Sequence, residues 1–108
     1  MKLSVKGMLV AAIAVSTASG TVMCKDVVVS DLSTAELFKA RSNAKENEYL
    51  ALHELAAKTQ LIDGKGVAHS LTYEMLNETS SVNFKKLEEL DYQLSLKLGA
   101  ESLENPSS

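Results

Sequence analysis

The sequence predicts an all-α protein: an antiparallel helical hairpin, or a small three-helix arrangement, following a cleaved signal peptide. Three observations carry that expectation. A capping box at Ser33–Glu36 opens a stretch free of Pro and Gly up to Thr59. Asp63-Gly-Lys-Gly66 then interrupts the chain, and the leucines at 87, 90, 94 and 98 recur at helical spacing. A serine three residues before a glutamate is the signature of a helix start, and glycines after a periodic run mark its end.

The chain begins with Lys2 and Lys6 around an apolar core, Met8 to Val15, followed by Ser16-Thr-Ala-Ser-Gly20. A basic start, a short apolar core and a small-residue exit match an export signal. The core is far short of the roughly 20 residues a membrane-spanning helix needs. Ser16 with Ala18 places the cut before Ser19, and Ala18 with Gly20 places it before Thr21. Residues 1–20 are therefore assigned as signal peptide. An uncleaved amino-terminal anchor is the alternative, since the uncharged stretch continues to Cys24. A lipid-modified Cys24 fits less well, because Thr21 and Met23 are poor matches to the small residues and aliphatic residue of that pattern.

Residues 21–32 read as an extended linker. Val22 and Val27–Val29 have strand composition, yet no second β-rich run is evident to take up their backbone hydrogen bonds. Leu32 and Leu37 flank the capping box with hydrophobic-staple spacing, and residues 34–60 read as one helix. Its broad apolar face includes Leu37, Ala40, Ala51 and Leu55, with Phe38 and Tyr49 on a flank. A second helical region runs from about residue 67 or 71 to Leu98. Asn77-Glu-Thr-Ser-Ser81 is poor in helix propensity and offers Ser80 or Ser81 as a new cap. Gly99 is the expected C-cap, and residues 100–108 read as a frayed tail. The hairpin domain thus spans 33–99, with arms roughly 40 Å long joined along a coiled-coil-like seam.

Composition narrows the function. The 108 residues carry 11 basic and 14 acidic side chains, a net charge of −3. Loss of residues 1–20 removes two lysines and makes the remainder more acidic. That balance argues against nucleic acid as a partner. A membrane enters only through an uncleaved signal or a lipidated Cys24. The single cysteine excludes an internal disulfide and leaves Cys24 for an intermolecular disulfide or a modification.

Motifs for catalysis fail at the residue level. His53-Glu54 begins a zinc-peptidase pattern, but position 57 is Ala, so the second ligand one turn on is missing. His69 is the only other histidine. Asp63–Gly66 lacks the spacing of a phosphate-binding loop. Asn77-Glu-Thr79 is a formal glycosylation acceptor. No catalytic residue, metal ligand or cofactor is assigned.

Two helices share one seam, and the sequence holds more apolar surface than that seam hides. The expectation is an exported, secreted or periplasmic protein acting without catalysis through a protein partner or as a homodimer. It would serve as an inhibitor, an adaptor or an accessory subunit of an envelope or secretion assembly. The candidate interaction residues are Leu87, Leu90, Leu94, Leu98, Tyr92 and Phe38. A self-associating structural envelope protein is the alternative, and a metal-binding protein or enzyme the remote one.

Overall fold

The computed structural model describes residues 3–103 and overturns the all-α expectation: the fold is α+β. The order is β1 (Ser4–Thr17), β2 (Gly20–Ser30), α1 (Thr34–Ser42), α2 (Leu50–Lys58), β3 (Thr59–Ile62), β4 (Ala68–Ser70), α3 (Tyr73–Glu78) and α4 (Ser81–Leu103). The strands form one antiparallel sheet in the order β1-β2-β3-β4. Among the described residues there is neither a helical hairpin nor a coiled coil, because the leucine seam packs on a sheet and not on a second helix.

The run expected to leave as a signal peptide is β1. Leu3, Val5 and Leu9 turn inward while Ser4, Lys6 and Met8 turn outward, which is the two-residue period of a strand with one buried face. The small residues at its end make a two-residue hairpin turn. Gly20 adopts a φ of 123°, and the Thr17 hydroxyl donates to the Gly20 carbonyl (2.6 Å) while accepting from the Ser19 amide. This hairpin supplies the pairing that Val27–Val29 lacked on paper: Val5 faces Val29 and Gly7 faces Val27. Residues 21–32 are therefore mostly strand, not linker.

The helix expected over 34–60 is two helices and the start of a strand. The capping box forms as expected, with Ser33 Oγ accepting from the Glu36 amide at 3.1 Å and the Glu36 carboxylate accepting from the Ser33 amide at 3.0 Å. α1 then stops at Asn43, and Asn47 takes a left-handed conformation (φ 69°), a role asparagine fills where glycine is absent. Thr59 leaves α2 in extended geometry, its hydroxyl donating to the Leu55 carbonyl at 2.8 Å. Asp63–Gly66 does turn the chain, but between β3 and β4. Asp63 Oδ1 accepts from the Lys65 and Val67 amides, and Gly66 adopts φ 82°.

The second helical region divides within Asn77–Ser81, between α3 and α4. α4 runs through Gly99 to Leu103, so residues 100–103 are helical and not tail; residues 104–108 lie outside the described residues. α4 lies across β1 and β2. Its Leu87, Leu90 and Leu94 are buried against Leu9, Val27 and Val29, each leucine contributing about 1.5–3 kcal/mol of burial. Gly7 permits this approach: a Cβ there would sit 2.6 Å from Leu90 Cδ1.

One buried polar side chain organises the crossing. β1 and β2 lose register between Met8 and Ile13, where β1 carries extra residues. Asn83, fully buried on the first turn of α4, accepts from the Val10 and Ala11 amides at 3.0 Å each and donates to the Ala11 carbonyl at 2.9 Å and to Thr79 Oγ1 at 2.9 Å. The bulge thereby gains partners for backbone groups that β2 cannot reach.

Candidate functional site

The described helices that pack on the sheet leave its second face open. Register defines what this face presents. One row crosses the sheet as Lys6, Val28, Gln60 and Ser70; the next as Met8, Asp26, Ile62 and Ala68. Toward the hairpin tip, Ala14 pairs with Met23. Met8, Val10 and Met23 are 55%, 59% and 60% exposed, an unusual surface for flexible apolar side chains on a strand. Val28 and Ile62 are half-buried by their neighbours, while Lys6 and Asp26 stand exposed. Serines 4, 16, 30 and 70 with Thr21 and Gln60 surround this centre.

A cleft of about 320 Å³ lies where α1, α2 and the start of α3 meet. His53 on α2 places Nε2 2.9 Å from Glu48 Oε1, and its ring stacks on Tyr73 with centroids 4.3 Å apart. The Tyr49 amide donates to the Tyr73 hydroxyl at 3.2 Å. The Lys45 amide, and after it His53, hold the Glu48 carboxyl below its ordinary range. Thr72 Oγ1 is occupied in capping α3, accepting from the Met75 amide. These contacts fasten the 43–49 loop to α2 and α3.

The second histidine does parallel work elsewhere. His69 Nε2 lies 2.9 Å from Asp63 Oδ2, and that contact, followed by the Val67 amide, keeps the Asp63 carboxyl below its usual range. His53 on α2 and His69 on β4 are thus each joined to a carboxylate in the loop beside them. Among the described residues there is no group of three or more His, Cys, Asp or Glu side chains placed to hold a metal ion.

The residues singled out for interaction separate into two sets. Leu87, Leu90 and Leu94 are core residues, and Leu98 is half-buried against that core, so the seam is unavailable to a partner. Tyr92 and Phe38 are exposed at 65% and 58%; Leu96 lies one turn beyond Tyr92, and Arg41 sits over the Phe38 ring. Cys24 has no exposed surface. Burial, and behind it the Asp63 carboxylate, push its thiol above the ordinary value. In the folded chain it is withdrawn from disulfide exchange and from modification. Asn77 is exposed on α3.

Sequence reasoning missed the open face because most of its residues lie in the segments set aside as signal and linker. The alternation of Leu3-Ser-Val-Lys-Gly-Met-Leu9 was the available sign. Among the described residues no helix is long and apolar enough to cross a membrane. No protein-family model, curated protein or solved structure matches the chain. What the fold and its surface define is a class of object: a two-layer α+β domain that covers one sheet face with helices and leaves the other, partly apolar, uncovered.

Proposed function

We propose that this is a non-enzymatic interaction protein, an adaptor or accessory subunit of a protein assembly, that binds through the uncovered face of its sheet. The observation that supports the reading is that Met8 and Met23 stand exposed on the sheet face the helices do not cover, among Lys6, Asp26, Gln60 and Ser70. Large apolar side chains exposed among polar ones on one face mark a protein interaction site. Methionine's unbranched, polarisable side chain adapts its shape to a partner, which suits a contact surface built on rigid strands.

The reading takes the chain with β1 retained. Export with cleavage before Ser19 or Thr21 would remove Leu9, Ile13 and Val15 from the core and Met8 and Val10 from the face. The secreted or periplasmic alternative thus makes an opposite statement about the mature chain. Intact mass of the protein from its native host separates them: full length, with or without Met1, agrees with the proposal, and a chain starting at Ser19 or Thr21 refutes it.

The binding surface is tested by a photocrosslinking amino acid at Met23, with the same residue at exposed Glu78 as control. Adducts from position 23 and none from 78 are expected. Adducts from 78 alone would contradict the assignment of the face.

A further inference from the structure

Resting on that reading, we infer that the partner engages the domain with an extended chain end that adds as a strand to the free edge of β2. β2 has 11 residues, but β3 pairs only with Asp26–Val29. Gly20–Lys25 therefore has β1 along one edge and no described strand along the other. At about 3.4 Å per residue this unpaired run is about 20 Å long. It borders a slot of about 560 Å³ walled by Val22, Met23, Gly64, Lys65, Val67 and His69. The Asp63–Gly66 turn stands at one end of the slot and the Thr17–Gly20 turn at the other.

Strand parity shows what β2 presents to the slot. The Asp31 amide donates to the Leu3 carbonyl at 3.0 Å, so Val29 and Val27, two and four residues earlier, also turn their main-chain groups toward β1. Along a strand, residues that share a face send their N–H and C=O groups to the same edge. Val22 and Cys24 face the core, as Val27 and Val29 do. Their main-chain groups therefore turn to β1, and those of Thr21 and Met23 turn to the slot.

The other edges of the sheet are guarded. On β1, Asn83 holds the Val10 and Ala11 amides, and Lys97 Nζ donates to the Ser4 carbonyl at 3.0 Å, so its outer edge is broken into pieces. β4 has only three residues. Interruption and brevity are usual protections of an edge strand. Among the described residues, no side chain takes the slot-facing groups of Thr21 or Met23.

Unpaired main-chain donors and acceptors select an extended chain, and the side chains beside them select what it carries. Val22 stands on the helix side of the edge and Met23 on the open face. Successive side chains of an added strand thus meet apolar surface on the two sides in turn. The slot runs onto the open face at Met23, which makes the edge and the face one continuous surface. Because the Asp63–Gly66 turn stops the lane, the segment that fills it is a chain end.

Selection of short random peptides, displayed at a chain terminus, on the full-length protein tests this. Sequences with alternating apolar residues should be enriched, and a synthetic peptide of that sequence should slow hydrogen exchange at the Thr21 and Met23 amides. Met23→Pro removes the slot-facing N–H and spares the β1 ladder, while Met23→Val loses the same methionine and keeps that N–H. Both variants should melt alike, and proline should weaken the peptide at least about tenfold relative to valine. If proline unfolds the chain, exchange at Thr21 and Met23 in the unsubstituted protein decides the matter. No enrichment, equal affinity for the two variants, or protection confined to other amides overturns the inference. Crosslinking from Met23 in the native host separates the two levels of the argument. Adducts with another protein, alongside any of those negative results, leave the open face standing and remove strand addition alone; no adducts remove both. Adducts only with a second copy of this chain also overturn the inference.

Discussion

Replacing Asn83 tests whether a hydrogen-bonded bulge, and not simple hydrophobic contact, joins α4 to β1. Asn83→Ala leaves the amides of Val10 and Ala11 and the carbonyl of Ala11 without their present partners. A buried polar group stranded in this way costs about 1–3 kcal/mol. These backbone groups lie at a partly buried edge where water recovers part of the loss, so the sum should be about 2–4 kcal/mol. For a domain of this size that lowers Tm by roughly 10–25 °C. Asn83→Leu separates the causes, because it fills a similar volume and makes none of the bonds. Urea unfolding should find Leu at least as destabilising as Ala, with an unchanged m-value, and amide exchange at Val10 and Ala11 should accelerate in both. A leucine variant within about 0.5 kcal/mol of the original protein would show that packing alone holds the crossing.

Further outcomes follow from the same geometry. Gly7→Ala puts a methyl group into the Leu90 side chain and should cost about 1–3 kcal/mol by urea unfolding; in a Leu90→Ala background that cost should shrink markedly. Leu94→Ala, at the centre of the helix–sheet contact, should cost about 2–5 kcal/mol. The Cys24 thiol should react with a maleimide only at the rate of unfolding, and rapid stoichiometric labelling of native protein would contradict its burial. Asp63 and Glu48 both titrate below the ordinary carboxyl range in the fold, so the unfolded chain takes up their protons first as pH falls. Their contribution is complete above that range, near pH 4, and is lost as pH drops through it toward the depressed folded values. His69→Gln, which removes the first cause of the Asp63 shift, should flatten this acid limb in a stability–pH profile.

Local chemistry was legible in the sequence; its long-range partners were not. The Ser33–Glu36 capping box, the Asp63–Gly66 turn and the weak point at Asn77–Ser81 all fall where short-range rules place them. The leucine spacing of α4 was also correct, but periodicity says that a face is buried and not what buries it. Its covering surface comes from β1 and β2, some sixty to eighty residues earlier. Met8 to Val15 escaped as a strand because its exposed side chains, such as Met8, Val10 and Ala14, are as apolar as the buried Leu9, Ile13 and Val15. Without polar alternation a one-sided strand resembles the core of an export signal. The break after α1 was hidden for a different reason: Asn47 and the Glu48 carboxylate make the turn without Gly or Pro. With the N-terminal run set aside as signal peptide, Val27–Val29 had no visible partner, whereas the fold pairs them with β1.

Setting that run aside also hid the proposed interaction surface. Five of the six residues proposed from the helix pattern lie on one helix, and the leucines among them face inward. Lys6, Met8, Val10, Met23 and Asp26 carry no motif. They acquire meaning only when register brings two strands side by side and the helices occupy the opposite face.

Everything turns on β1 being a permanent strand of the folded protein. Hydrogen–deuterium exchange with mass spectrometry on the full-length chain tests that claim most directly. Peptides covering Ser4–Thr17 should exchange as slowly as those covering β2 and α4, because β1 shares their core. Exchange of that segment at unstructured-chain rates, with α4 still protected, would contradict the fold and the binding face together.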